Sequence, residues 1–151
     1  KIQTIRKPRV FTFNQKTFYV GHGDGLGADD MGYKILKVIF EGKLPRFLFG
    51  RIMHPNLGMK LGLLWTKNSW KKKRKPEQFK GEEKEHLVQY SKRIEAQNHH
   101  DFYVFGHRHT VAEMDISSNA KYFNLGDWIW HYSYAVFDGE KMQLHNYQPK
   151  E

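Results

Sequence analysis

The segment Asp101-Phe102-Tyr103-Val104-Phe105-Gly106-His107-Arg108-His109 divides into two parts. Phe102 to Phe105 is a short apolar run, read as a strand. Gly106 then opens a loop carrying two histidines two positions apart. A second segment has the same layout. Val10 to Val20 alternates apolar and polar residues on both sides of Asn14-Gln15-Lys16, the pattern of a β-hairpin. Its second strand runs into Gly21-His22-Gly23-Asp24-Gly25-Leu26-Gly27, too rich in glycine for a strand or helix interior. Both histidine loops therefore follow strands. In open α/β sheets, sites form outside the carboxyl ends of strands.

Outward from these two segments the pattern alternates. Asp29 or Asp30 suits a helix N-cap, and Met31, Ile35, Val38 and Ile39 predict an amphipathic helix over Asp30 to Phe40. Leu44 to Trp70 is apolar, aromatic and basic together. Gly50, Pro55, Gly58 and Gly62 interrupt it, predicting short helices, with Leu61 to Leu64 in the core. Glu77 to Gln97 reads as a further helix with Leu87, Tyr90 and Ile94 on one face. Strands are expected near Val111 to Ile116, Lys121 to Asn124, Ile129 to Phe137 and Met142 to Tyr147, with Asp138-Gly139 as a hairpin turn. The sum is an α/β chain of strands, three helices, then a run of strands.

The 151 residues are enough for one domain. Aromatic residues make up 15%, too many for a disordered chain despite a mean hydropathy of -0.75. There is no cysteine, which excludes disulfides, thiolate nucleophiles and thiolate metal sites. No apolar run approaches a membrane span or a signal peptide, and a cytoplasmic protein is expected. The formal net charge of +9 suits a polyanionic partner: nucleic acid, an anionic membrane surface or a phosphorylated substrate. Lys67, Lys71, Lys72, Lys73, Arg74, Lys75 and Lys80 form one basic run; a solvated loop is the simpler reading of it.

No Gly-x-Ser-x-Gly elbow occurs, and the loop at 21 to 27 matches neither Gly-x-Gly-x-x-Gly nor Gly-x-x-x-x-Gly-Lys-[Ser/Thr]. Histidine is the better lead. His54, His86, His99, His100, His131 and His145 have no special setting, whereas His22, His107 and His109 follow strands in glycine-flanked loops. On extended backbone His107 and His109 would point the same way, with Cα atoms roughly 6.5 Å apart. That suits one metal ion, or one ligand to each of two. Two exposed loop histidines remain the alternative, and spacing does not separate the readings.

Gly106-His107-Arg108-His109 and His22-Gly23-Asp24, each after a strand, resemble the closing motifs of calcineurin-like metallophosphoesterases. Asp29-Asp30 and Tyr33, the aromatic-basic insertion, and Asn124-Leu125-Gly126-Asp127-Trp128 resemble the UDP-2,3-diacylglucosamine diphosphatase branch of lipid A synthesis. The resemblance implies a two-sheet sandwich flanked by helices. Residues 1–151 would form the C-terminal part of one such domain, and 44–75 a helical lid insertion. It implies metal-dependent hydrolysis of the pyrophosphate of UDP-2,3-diacylglucosamine to UMP and 2,3-diacylglucosamine 1-phosphate. Two divalent metals of the Mn²⁺ kind are implied, with His22 and His107 on one and His109 on the other. Asp24 and Asn124 are expected to support these ligands, although a plain turn-forming Asp24 serves equally.

The family's Asp-x-His, Gly-Asp and Gly-Asn-His motifs do not occur before His22. The chain is therefore expected to be a C-terminal half, inactive alone, with an N-terminal half as partner. Exposed sheet edges in such a piece predict self-association. Substrate contacts are expected from Arg46, Arg51, Trp65, Lys67, Trp70 and Lys71, next to an apolar groove for acyl chains and an anionic inner-membrane surface. Two other readings stand beside this one: a metallophosphoesterase for nucleotides or other phosphoesters, and a non-catalytic basic binding module. Nucleic acid is the less expected partner.

Overall fold

The structure, a computed structural model, describes residues 7–26, 38, 41–72 and 78–148; within these, the side chains of 65 and 68–72 are not described. The helix expected over Asp30 to Phe40, and its caps, lie outside these residues but for position 38. The chain divides into two units, Lys1–Gly27 with Glu77–Glu151, and Ala28–Pro76.

The first unit is built on a mixed sheet. β1 (Arg9–Phe13) and β2 (Lys16–Val20) form the expected hairpin. Asn14 and Gln15 turn it with φ of 47° and 64°, the pair of positive values that two-residue hairpin turns require. β3 (Phe102–Phe105) lies parallel to β2, and β5 (Ala120–Leu125) parallel to β3. β4 (Val111–Ser117) pairs antiparallel to β5 at the edge, giving the order β1-β2-β3-β5-β4. β6 (Ser133–Phe137) and β7 (Met142–Asn146) form a separate two-stranded sheet.

Strand periodicity explains the two cores. Successive side chains point to opposite faces. Tyr103, Phe105 and Tyr122 pack on one face with Leu87 and Val88 of α3 (His86–Glu95). Phe18, Phe102, Val104 and Phe123 pack on the other, where Met142, Ala135, Phe137 and Leu144 of the second sheet cover them. A central sheet with a helix on one side and a second sheet on the other agrees with the α/β class read from the sequence. The Asp101 carboxylate ties β2 to the start of β3, accepting from Lys16 Nζ at 2.8 Å and from Thr17 N and Oγ1 at 2.8 and 2.9 Å.

Two elements are shorter than predicted. The helix expected from Glu77 begins at His86, after a 3₁₀ turn at Glu82–Lys84. Gly81, at φ 93°, turns the chain there, and Lys80 N donates to the Glu85 carboxylate. β6 begins at Ser133 rather than Ile129, because Asp127 folds the intervening residues into a turn.

In the second unit, α1 (Lys43–Ile52) and α2 (Pro55–Lys72) confirm separate helices, broken at Met53-His54; α2 is long rather than short. The core assigned to Leu61 to Leu64 is not found. Leu61, Leu63 and Leu64 are 49, 64 and 60% exposed, and α1 has no buried residue. Leu44, Phe47, Phe49, Ile52, Leu57 and Met59 are exposed as well. No helix among the described residues is long and apolar enough to cross a membrane.

Candidate functional site

β2 and β3 run parallel, so the loops that follow them leave from the same end of the sheet. Their ladder continues past both strands. Gly21 N donates to Val104 O at 3.1 Å, and Gly106 N to His22 O at 3.1 Å. This registration brings His22 against His107, with ring centroids 5.2 Å apart and planes at 79°. Gly23, at φ 110°, lets the first loop lie flat on α3 and the second loop. A Cβ there would stand 2.8 Å from Leu87 Cδ1 and 3.3 Å from His107 Cβ. Asp24 is half-buried in the turn beyond it.

The second loop is not extended, contrary to the geometry assumed for His107 and His109. Both occupy the left-handed region, at φ 62° and 51°, and Arg108 N donates to Gly106 O at 2.7 Å across His107. Non-glycine residues rarely adopt this conformation and do so disproportionately at functional sites. The tight turn sends the two rings to different neighbours. His107 meets His22. His109 Nδ1 lies 3.9 Å from Asp127 Oδ2, an oxygen that His131 Nδ1 approaches to 2.9 Å.

Buried polar groups brace the loop. Asn124, 2% exposed, donates from Nδ2 to Gly106 O at 3.0 Å and to Tyr122 Oη at 3.3 Å, while its Oδ1 accepts from Gly126 N at 3.3 Å. Glu85, also 2% exposed, accepts from Arg108 Nε at 3.2 Å. Burial alone would raise the pKa of Asp127. Donation from the N–H groups of Trp130, Ile129 and His131 and from the His131 ring outweighs this and holds it at about 2. Residues 126–131 thus form a built turn beside His109.

Glu85 and His131 went unrecognised in the sequence, and Asp127 entered only as part of the Asn124-to-Trp128 resemblance, with no role given to it. Glu85 is an acid with no motif. His131 lies in a segment taken for a strand, where a partner four residues back is not looked for. Arg46, Arg51 and Lys67 lie exposed on the helices of the second unit, with the Arg51 guanidinium 6.0 Å from the Phe47 ring. Trp65, Trp70 and Lys71 belong to α2, and their side chains lie outside the described set.

The donor chemistry suits a divalent ion. Imidazole and carboxylate are ligands for metals of the Mn²⁺ to Zn²⁺ series. Two imidazoles sharing one ion at about 2.1 Å place their centroids about 5 Å apart, as His22 and His107 stand. The set is partial: among the described residues no group of three or more His, Asp or Glu could hold an ion.

A mixed sheet layered between a helix and a second sheet, with paired histidine loops at one end, is consistent with part of a metallophosphoesterase-like fold. Comparison with curated proteins sharpens this. The chain is 30% identical over 149 residues to a UDP-2,3-diacylglucosamine hydrolase of Porphyromonas gingivalis (strain ATCC BAA-308 / W83), covering 90% of this chain. The resemblance read from the motifs is borne out as a likeness to that hydrolase. The chain spans 56% of the relative's length. No family model matches the chain.

Proposed function

We propose that this chain supplies the histidine side of a metal-dependent hydrolase that cleaves the pyrophosphate of UDP-2,3-diacylglucosamine, giving UMP and 2,3-diacylglucosamine 1-phosphate. The observation that carries the reading is the approach of His22 and His107, from loops far apart in sequence, to 5.2 Å between rings. The relative's name, UDP-2,3-diacylglucosamine hydrolase, supports the choice of substrate.

His22 and His107 would hold one divalent ion and His109 a second, with further ligands from beyond this set. When bound, such ions lower the pKa of a shared water and neutralise charge on phosphoryl oxygens. The protein's own part is positioning. The Gly106–His22 ladder bond fixes two imidazoles, and Asn124 holds the Gly106 carbonyl beneath them. Glu85 anchors Arg108 between His107 and His109.

The second unit fits a substrate with two acyl chains. Its helices expose Leu44, Phe47, Phe49, Ile52, Leu57 and Leu64 beside Lys43, Arg46, Arg51, Lys60 and Lys67. Apolar side chains would take the acyl chains, while the cations meet anionic headgroups. The location that follows is the cytoplasmic side of an anionic inner membrane, with peripheral attachment.

The test is UMP release from UDP-2,3-diacylglucosamine with Mn²⁺, for this chain and for a polypeptide extended to the relative's length. The extended protein is expected to turn over and the isolated chain is not. His107→Ala in the extended protein should abolish release. If soluble nucleotide phosphoesters are hydrolysed instead, the lipid substrate is wrong. If nothing is hydrolysed, so is the enzyme reading.

A further inference from the structure

The second sheet has two unlike faces. Ala135, Phe137, Met142 and Leu144 point inward and pack on the central sheet. Strand alternation turns Tyr134, Val136, Gln143 and His145 outward. Tyr134 stacks on His145, with ring centroids 5.6 Å apart. The outward face continues past the strands. Tyr147 N donates to Tyr132 O at 2.8 Å, and the Trp128 ring lies 6.2 Å from that of Tyr132 and 6.0 Å from that of Tyr147. Trp128, Tyr132, Tyr134, Val136 and Tyr147 are each 39–60% exposed.

This strip carries no formal charge. Residues 128–137 and 142–148 contain no Lys, Arg, Asp or Glu, in a chain where these make up 27%. Asp127 is buried, and Asp138, Glu140 and Lys141 sit at the far hairpin turn. Surface rich in Trp and Tyr and depleted of charge has the composition of a protein interface core. The helices of the second unit differ. Their exposed apolar residues are interspersed with Lys43, Arg46, Arg51, Lys60 and Lys67, so two copies of that surface repel one another while anionic lipid attracts them.

Two chains of formal charge +9 repel on approach. A charge-free face lets them meet without setting cation against cation. The area suffices. The rings of Trp128, Tyr132, Tyr134 and Tyr147, about half exposed at about 200 Å² each, offer about 400 Å² per copy. Two copies would bury about 800 Å² of ring, and Val136, Gln143 and His145 carry the total past the roughly 1,000 Å² that a specific interface needs.

We propose that the outward face of β6 and β7, bounded by Trp128 and Tyr147, docks the same face of a second copy of this chain in an isologous dimer. The proposal stands apart from the hydrolase reading and its substrate.

Sedimentation equilibrium of this chain over a range of concentrations tests it. A monomer–dimer equilibrium is expected, tightening several-fold as salt screens the net charge. Tyr134→Lys with Val136→Lys brings two cations per copy to the face and should weaken the dimer at least about 10-fold. Phe47→Ser with Leu64→Ser, on the helices, should leave it unchanged. In the labelled, unaltered chain the side-chain resonances of Tyr134 and Val136 should move with concentration, a readout that needs no variant to fold. A monomer at about 100 μM overturns the proposal. So do resonances that stay fixed on dilution, a dimer indifferent to the sheet variant, or a dimer lost in the helix variant. A polypeptide extended to the relative's length that stays monomeric, with Tyr134 and Val136 shielded from a paramagnetic cosolute, overturns it as well, because the added segment then covers the face.

Discussion

Replacing Asn124 with alanine should uncouple the Gly106 loop from the sheet. The side chain is 2% exposed and makes three hydrogen bonds, to Gly106 O, Tyr122 Oη and Gly126 N. Each contributes about 1 kcal/mol net, and a buried group left without its partner costs about 1–3 kcal/mol. Gly106 O keeps a bond from Arg108 N, so its share is small. The buried Tyr122 hydroxyl and the Gly126 N–H account for most of a total of about 3 kcal/mol. Tyr122→Phe alone should cost about 1 kcal/mol. The double variant should then cost about 3 rather than about 4 kcal/mol, since the first change has already removed the bond that the second deletes. Urea unfolding of the four proteins, followed by tryptophan fluorescence, gives these values from the midpoints at constant slope. Amide exchange at Arg108 and His109 should accelerate in Asn124→Ala. A loss below about 1 kcal/mol, or strict additivity with Tyr122→Phe, would refute the bracing role.

Three further outcomes are expected. Gly126→Ala should destabilise by at least about 2 kcal/mol in the same unfolding assay. A Cβ there would collide with Ser133 Oγ and stand 2.7 Å from Val111 Cγ2, at φ 72°. Asp101 is held at about 2, burial being outweighed by the bonds from Lys16 and Thr17; its contribution is therefore full above the unfolded value near 4 and is lost as pH falls toward 2. Discounted for solvent screening, this is about 1–2 kcal/mol, so Asp101→Asn should cost that much at pH 7 and much less near pH 2, by urea unfolding at both. The chain should co-sediment with anionic but not neutral phosphatidylcholine vesicles, less so at high salt, and Phe47→Ser with Leu64→Ser should weaken this several-fold.

The sheet was largely legible because its residues obey a period of two and its turns carry their own chemistry. Phe102 to Phe105 is apolar throughout because both faces are covered, by α3 and by the second sheet. Asn14-Gln15 marks a hairpin by composition alone. What the pattern did not show was set by contacts between distant residues. The start of α3 depends on Glu85 being claimed by Lys80 N and Arg108. The left-handed turn at His107 depends on Gly106 being held by His22 and Asn124. Leu61 to Leu64 show the reverse failure: apolar residues at helical spacing suggest a core, yet the structure leaves them exposed. Of the candidate site, the two histidine loops were readable from their position after strands. The pairing of Asp127 with His131 was not, because a strand was expected from Ile129, where the carboxylate carries the turn on to Ser133.

β2 and β3 are neighbours although roughly 80 residues separate them along the chain, most of them in the unit Ala28–Pro76. Closing a flexible loop costs an entropy that grows only as the logarithm of its length. Shortening that connection from roughly 80 to about 30 residues would change the closure cost by only about 1 kcal/mol. The parallel pairing that carries His22 to His107 is therefore nearly indifferent to how much chain is threaded between its strands. In design terms that unit is an exchangeable cassette: its helices can be lengthened or trimmed while the sheet keeps its register.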